Sequence, residues 1–159
     1  MVLYADDCNC FFNFPTASIN TNVINYELEK LSHWFSSNKL AFNVSKTKYM
    51  IISNRPATFQ NDVQSINICG QALSEVTEAS FLGILIDNKM TWKPHIQFIC
   101  NKVSKCIGIL LKARKSLSVQ IMNLLYNSLV LPYLQYCITV WGSAYPSFVT
   151  PLFILQKKL

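Results

Sequence analysis

The spacing of apolar residues changes at Asp87, and this change constrains the fold more than any other feature of the sequence. Before it, one amphipathic helical pattern lies among short strand-like stretches; after it, apolar residues recur every three or four positions. Strands followed by a separate group of helices are typical of the α+β class. We therefore predict an α+β fold with two parts, residues 1–90 and residues 91–159.

The chain opens with two apolar stretches around the tripeptide Ala-Asp-Asp. Residues 2–4 and 8–14 have strand-like composition, which predicts a β-hairpin with both acids at its tip. Apolar residues at helical spacing then predict a helix over 19–40, and Ser18 is a suitable N-terminal cap.

Three further strands are predicted before the helical part. Residues 47–53 carry apolar side chains on both faces, so this strand is expected to be buried on both sides. A strand at 65–70 should end in a turn at Gly70. In the strand predicted at 81–87, Gly83 permits a bulge or the close approach of another backbone.

The second part is predicted to consist mainly of helices. A helix should begin near Pro94 and continue to residue 116, because proline suits a first helical turn. A second helix over 118–142 should be kinked or broken at Pro132. The final residues, 143–159, are rich in turn-forming residues and then apolar, and no element is assigned to them.

Charge is distributed unevenly along the chain, which has a net charge of +6. All eight acids lie at or before Asp87, whereas nine of the fourteen Lys and Arg residues follow it. A purely basic segment suits a polyanionic partner such as nucleic acid. A solvated helix face would give the same composition.

Cysteine spacing and apolar run lengths argue against several other classes. The six cysteines show no zinc-binding spacing, so reduced and mostly buried thiols are expected. Asp6 and Asp7 interrupt the position where a signal peptide would be apolar. The longest apolar run, residues 129–141, is too short and too interrupted for a bilayer, so no membrane partner is expected.

Asp6 and Asp7 are the strongest candidates for chemistry. Adjacent carboxylates repel each other unless a cation lies between them or water covers them. Mg²⁺ prefers oxygen ligands and commonly takes one or two carboxylates plus substrate phosphates, as in two-metal phosphoryl transfer. The alternative is an ordinary turn, because aspartate is common there.

Four blocks occur in order between residues 2 and 142. They are YADD, WFSSNKLAFNVSKTKYMIIS, FLGILIDNKMTWKPHI, and a helical segment that includes KVSKCIGILLKAR and LLYNSLVLPYLQYCITVWG. The first resembles the Tyr-x-Asp-Asp hairpin of reverse transcriptases. The others are similar to the W-x-x-x-N-x-L-x-x-N-x-x-K-T-x-x-M block, the F-L-G-x-x-x-D-x-x-L-x-W-x-x-H-I block and the following helices of non-LTR (LINE-type, jockey-like) retrotransposon polymerases.

This resemblance implies a right-hand polymerase that copies RNA into DNA. Residues 1–90 would be the C-terminal part of its palm, and residues 91–159 a helical thumb-like segment. The implied cofactor is Mg²⁺, and the implied partners are an RNA template, a DNA primer and deoxynucleoside triphosphates. A nuclear or cytoplasmic location is expected from the family.

The resemblance also implies roles for individual residues. Asp6 would be the main metal ligand, Asp7 the secondary acid, and Tyr4 a neighbour of the primer terminus. Lys46 would lie near the triphosphate and, like Lys48, could protonate the leaving pyrophosphate; alternatively, Lys46 only caps a strand end or binds solvent. The primer grip would include Phe81, Leu82 and Gly83. Duplex-backbone contacts would come from Lys102, Lys105, Lys112, Arg114 and Lys115.

Other aromatic residues have simpler interpretations. Trp34, Trp92 and Trp141 are expected in the core or an interface rather than as stacking platforms for bases. His33 and His95 are expected to be ordinary helix residues rather than ligands.

The sequence departs from the family pattern at its beginning. The family's metal site needs another aspartate from a palm strand well before YADD, and only three residues precede Tyr4 here. We therefore expect a fragment that is inactive alone, for which the missing N-terminal part of the polymerase would be a partner. The alternatives are a non-catalytic nucleic-acid-binding remnant that uses the basic helices, and a metal-dependent hydrolase, which would need more carboxylates.

Overall fold

The computed structural model describes residues 1–5, 7–14, 19–41, 43–53 and 65–157. It contains helices and small two-stranded sheets, so the predicted mixture of α and β structure is confirmed. The chain forms two compact units, Met1–Val76 and Thr77–Leu159. The assignment of residues 1–90 to a palm and 91–159 to a thumb-like segment remains a prediction.

The first unit begins with the predicted hairpin. Strand β1 (Val2–Tyr4) pairs antiparallel with β2 (Asp7–Asn9), and Tyr4 lies opposite Asp7. The second strand is shorter than the predicted 8–14 and starts one residue earlier. Asp7 is therefore a strand residue and not a turn residue. Between the two strands, Ala5 has a φ of 50°, and Asp6 lies outside the described residues.

Helix α1 (Thr21–Ser37) follows. Its N-terminal cap is Asn20, whose side chain accepts a hydrogen bond from the Val23 N–H at 3.3 Å. The prediction of Ser18 as the cap is wrong, because the helix begins two residues later than predicted; Ser18 itself lies outside the described residues.

The remaining strands of the first unit are short. Strand β3 (Lys48–Tyr49) pairs parallel with β6 (Ser74–Glu75), and β4 (Asn67–Ile68) pairs antiparallel with β5 (Gln71–Ala72). The predicted turn at Gly70 is confirmed. The strand predicted at 47–53 has only two residues.

The core of the first unit lies between α1 and the segment that contains β4. Asn25 on α1 also accepts the Asn67 N–H at 2.9 Å, which ties the helix to that strand. Ile52 is 50% exposed, so the prediction that its segment is buried on both faces is wrong. The buried residues of this core are Ile24, Leu28, Ile66 and Ile68.

The second unit begins with another hairpin. Strand β7 (Glu78–Phe81) pairs antiparallel with β8 (Ile84–Asp87). The two loop residues, Leu82 and Gly83, have φ values of 48° and 81°. A two-residue loop with both φ values positive matches the twist of the strands, and glycine adopts this conformation without steric cost. The predicted single strand over 81–87 is therefore wrong, because Gly83 lies in a turn.

Five helices complete the second unit. Helix α2 (Lys93–Ala113) confirms the predicted start near Pro94. The helix predicted over 118–142 is broken at Pro132, as one of the two predicted alternatives had it, and Pro132 lies in the first turn of the second piece. The four remaining helices are α3 (Val119–Leu129), α4 (Leu131–Gln135), α5 (Ile138–Trp141) and α6 (Pro146–Gln156).

The core of the second unit is built against one side of α2, and residues from the later helices complete it. Trp141 is 1% exposed and donates its indole N–H to the Tyr136 carbonyl at 2.9 Å. Trp92 packs against this core, whereas Trp34 of the first unit is 48% exposed and is not a core residue. The core is made by Ile96, Ile99, Cys100, Val103, Ile107, Leu110, Val130, Leu134, Trp141 and Leu152.

The cysteines are free thiols, as predicted. Cys100 is buried and Cys69 is exposed, while the other four are partly buried, so the prediction of mostly buried thiols is confirmed only in part. Within the described ranges, we find no helix with both the length and the apolar character needed to cross a bilayer.

Candidate functional site

The hairpin β1–β2 presents Tyr4 and Asp7 together. Directly opposed residues of an antiparallel pair project to the same face of the sheet, so the phenol and the carboxylate share one face. Tyr4 is 61% exposed, and Asp7 is also exposed. Both groups are therefore accessible to a ligand. Because Asp6 lies outside the described residues, a shared position for the two carboxylates remains a prediction.

The donor chemistry of this hairpin suits Mg²⁺, but one carboxylate is not a complete site. An exposed aspartate oxygen is a ligand type that Mg²⁺ prefers. In the part of the chain that the structure describes, no group of three or more His, Cys, Asp or Glu residues could hold a metal ion. Asp7 can thus serve as one ligand, and the remaining ligands would come from Asp6, from substrate or from another segment.

Lys46 lies in a hydrogen-bonded turn that its neighbours build. The Asn43 carbonyl accepts the backbone N–H groups of Lys46 and Thr47, each at 3.1 Å, and the Thr47 hydroxyl at 3.0 Å. Asn43 and Thr47, the Asn and Thr of the N-x-x-K-T block, therefore fix the backbone conformation of the turn that contains Lys46. The Lys46 side chain is exposed. This position agrees with contact to solvent or to a phosphate.

The predicted primer-grip residues lie at the β7–β8 turn. Phe81 is partly buried, Leu82 is 39% exposed and Gly83 is exposed. The Tyr136 hydroxyl donates to the Leu82 carbonyl at 2.6 Å, which ties this turn to the residue after α4. The primer-grip role itself remains a prediction.

The Asp87 side chain stabilises the loop between β8 and α2. The sequence motif that contains Asp87 does not indicate this role. One carboxylate oxygen accepts the Thr91 N–H and hydroxyl, both at 3.0 Å, and the other accepts the Trp92 N–H at 2.8 Å. Met90 and Trp92 have φ values of 52° and 63°, a conformation that is costly for these residues. The carboxylate stabilises this strained loop and satisfies donors that precede the helix.

Burial alone would raise the pKa of Asp87. Hydrogen bonds from the Thr91 and Trp92 backbone, the Thr91 hydroxyl and the Lys89 backbone outweigh it, so the pKa lies below its ordinary value. A depressed pKa stabilises the fold above the unfolded-state value near 3.8, and this contribution is lost as pH falls through the folded-state pKa.

We expect Asp87→Ala to lower the free energy of unfolding by about 2–4 kcal/mol, because it leaves three partly buried donors unpaired. Urea unfolding at neutral pH measures this loss. The difference from the parent chain should narrow as the pH falls below about 3.8 and through the lower folded-state pKa of Asp87. Glu78→Gln, an exposed acid of the same hairpin, is the control and should change stability by less than about 0.5 kcal/mol. An equal effect of both variants would contradict this role.

His95, the other polar group of this block, is 2% exposed and lies in the first turn of α2. Its Nδ1 accepts the Leu85 N–H at 3.3 Å, so the helix is bonded to β8. Burial lowers the pKa of His95 and keeps the ring neutral. Its Nε2 is buried and has no hydrogen-bond partner among the described residues.

The basic side chains predicted to contact nucleic acid are all exposed. Lys102, Lys105 and Lys112 follow the outer face of α2, at positions that lie close together around a helix. Arg114 and Lys115 directly follow the helix. The only ion pair in the described ranges joins Lys30 to Glu27, so these five cations have no acidic partner there. They are free to contact an external anion.

The chain is similar in sequence to three known proteins. The chain is 26% identical over 160 residues to the RNA-directed DNA polymerase from mobile element jockey of Drosophila funebris. It is 25% identical to the jockey polymerase of Drosophila melanogaster and 23% identical to the probable RNA-directed DNA polymerase from transposon BS of that species. No family model matches, and no solved structure matches.

These matches cover 98–99% of this chain but only 17–18% of each relative. The ordered blocks, and matches that run along nearly the whole of this chain, make it similar to one part of RNA-directed DNA polymerases. The relatives that it resembles are the polymerases of jockey-type mobile elements, and the predicted resemblance to the non-LTR, jockey-like family is confirmed.

Proposed function

We propose that this chain is the part of an RNA-directed DNA polymerase that carries the catalytic Tyr-x-Asp-Asp hairpin. Residues 1–90 would form the C-terminal palm and residues 91–159 a thumb-like segment. The observation that carries the proposal is the register of the first hairpin, which brings Tyr4 and Asp7 to one exposed face. The jockey-type relatives, which are named as RNA-directed DNA polymerases, support it.

Each group has a defined role in the proposed reaction, extension of a primer 3′-hydroxyl by a deoxynucleoside triphosphate. Asp6 and Asp7 would hold Mg²⁺, which when bound activates the attacking hydroxyl and neutralises the charge on the leaving pyrophosphate. Tyr4 would contact the primer terminus. The exposed ammonium of Lys46 would donate a proton to the pyrophosphate, with Lys48 as the alternative donor.

The second unit would hold the growing duplex. The exposed turn of Leu82 and Gly83, with Phe81 at the end of β7 beside it, would position the primer strand. The exposed cations of α2 and the residues after it would contact phosphates. Such contacts are independent of base sequence, as a polymerase requires.

The 159 residues alone are not expected to extend a primer. They match only 17–18% of each relative's length, and the hairpin contributes fewer carboxylates than a two-metal site needs. Purified chain incubated with primed RNA, Mg²⁺ and the four deoxynucleotides should show no template-dependent product. Robust extension would contradict the proposal that the chain is one part of a larger polymerase.

A chimera tests the proposed role directly. Residues 1–159 would replace the matching segment of the Drosophila funebris jockey polymerase, and primer extension would be measured on primed RNA. We expect RNA-templated extension above that of the jockey polymerase with the segment deleted. A folded chimera that binds primer–template but does not extend it would contradict a catalytic role for the hairpin.

A second candidate function is nucleic-acid binding without catalysis. It is favoured by the exposed cations of the second unit, which have no acidic partner among the described residues. Under this alternative, the isolated chain would bind duplexes with a steep dependence on salt, while the chimera would remain inactive.

A further inference from the structure

A cavity of about 350 Å³ lies beside the β7–β8 turn in the second unit. Its walls come from that turn, from α2 and from the segment around α4, and they include Gly83, His95, Phe98, Tyr133 and Tyr136. This volume falls at the lower end of the range for small-molecule sites, about 300–1,000 Å³. The cavity therefore suits a single small group.

His95 lines this cavity and carries an unused hydrogen-bond donor. Its Nδ1 accepts the Leu85 N–H, so the neutral ring carries its proton on Nε2. That nitrogen lies on the other side of the ring, is buried, and has no partner among the described residues. Buried donors are normally paired, so an acceptor brought by a ligand would complete this site.

The walls of the cavity favour a flat ligand. The rings of His95 and Phe98 are nearly parallel, with 20° between their planes and 6.4 Å between their centroids. Phe98 and Tyr133 are 39% and 37% exposed, so both rings can be reached from outside. Aromatic faces of this kind stack on planar groups, and nucleobases stack on them regardless of sequence.

The charge next to the cavity favours an anionic ligand. The Lys102 ammonium lies 5.4 Å from the centroid of the Phe98 ring, and its side chain is exposed. Lys105 follows on the same face of α2, and the sequence contains no acid after Asp87. A phosphate attached to a planar group in the cavity would meet positive charge.

We propose that this cavity binds one unstacked nucleobase of a single-stranded nucleic acid. The base would stack against Phe98 and Tyr133 and would accept a hydrogen bond from His95 Nε2–H, while an adjoining phosphate contacts Lys102. Every base carries a ring nitrogen or carbonyl that accepts a hydrogen bond. The site would therefore bind any base, without preference for one over another, and would not bind an abasic position. The inference rests on the proposed contact of this unit with nucleic acid.

The test compares two probes that differ only in their bases. Fluorescence anisotropy would measure binding of the full chain to a ten-nucleotide DNA strand and to an abasic strand of the same length. Because stacking on one aromatic site strengthens binding by roughly one order of magnitude, we expect about tenfold tighter binding of the strand with bases. The abasic strand keeps the phosphates and reports their contribution alone.

Two variants of His95 distinguish the role of its Nε2–H donor in binding from its role in folding. His95→Asn keeps an acceptor near the position of Nδ1 for the Leu85 N–H but removes the Nε2 donor. His95→Gln keeps a donor near the position of Nε2. We expect the first to abolish most of the preference for bases, the second to retain part of it, and neither to change binding of the abasic strand. Tyr133→Leu, at a half-exposed wall, should reduce the preference without loss of folding.

The outcomes also separate this inference from the proposed function. Equal binding of both strands by the parent chain, with normal salt dependence, overturns the base site and leaves the phosphate contacts in place. A preference for bases that survives in both His95→Asn and Tyr133→Leu also overturns it. Binding of neither strand overturns the base site together with nucleic-acid contact by this unit.

Discussion

Asp7→Asn is expected to lower primer extension by the chimera about a thousandfold. The substitution keeps the size and one oxygen of the side chain but removes the charge that would hold Mg²⁺. A metal ion supplies several kcal/mol of transition-state stabilisation in phosphoryl transfer, and about 4 kcal/mol corresponds to three orders of magnitude in rate. Because Asp7 is an exposed strand residue, the fold should be unaffected.

Asp6→Asn should cause at least as large a loss, since the resemblance makes Asp6 the main ligand. Glu29→Gln is the matched control, because Glu29 is an exposed acid on α1. Rates would be measured at several Mg²⁺ concentrations, and the loss in the Asp7 variant should lessen as Mg²⁺ rises. Extension by Asp7→Asn at the rate of the Glu29→Gln control would show that the hairpin carboxylate takes no part in catalysis.

Replacing Lys102, Lys105 and Lys112 together with glutamine should weaken duplex binding by about two to three orders of magnitude at 0.1 M salt. Each phosphate contact by a cation contributes about 0.9 to the slope of log affinity against log salt concentration. Three lost contacts should therefore reduce that slope by about 2.7. All three side chains are exposed, so the helix should remain folded.

The control for this prediction has the same change in charge at other exposed positions, Lys39, Lys89 and Lys157. Affinity of both variants would be measured for one duplex across a series of salt concentrations. The control should lose much less affinity and keep most of the slope. If both variants lose the same amount, net charge and not the face of α2 determines binding.

Local patterns in the sequence predicted several elements correctly. The hairpin at YADD, the turn at Gly70 and the start of α2 near Pro94 depend on residues close in the chain. The end of β2 did not follow from composition, because residues 10–14 are as strand-like in type as the residues that pair. A strand needs a partner as well as a propensity.

The turn at Leu82 and Gly83 shows a second limit. An apolar run with one internal glycine reads equally well as one buried strand or as a hairpin. A positive φ is unusual for leucine, so the presence of Leu82 does not predict a turn. The bond from the Tyr136 hydroxyl to the Leu82 carbonyl joins residues 54 positions apart, which no local pattern can reveal.

In the candidate site too, some residues could be predicted from the sequence and others could not. Asp7, Tyr4 and the exposed lysines were found because their residue types and order match a family. Asp87 and His95 belong to a matched block as well, but only the structure shows their bonds to Trp92 and Leu85. A motif indicates that residues go together and does not separate those that hold the backbone from those that could meet a ligand.

The corner between β8 and α2 also bears on how the chain acquires its structure. The bonds from Asp87 to Thr91 and Trp92 span four and five positions, and the bond between Leu85 and His95 spans ten. Closing such short loops costs little chain entropy, and local contacts of this kind favour rapid folding. The segment from β8 into α2 is therefore well suited to act as an early nucleus, around which the more distant helices of the unit can assemble.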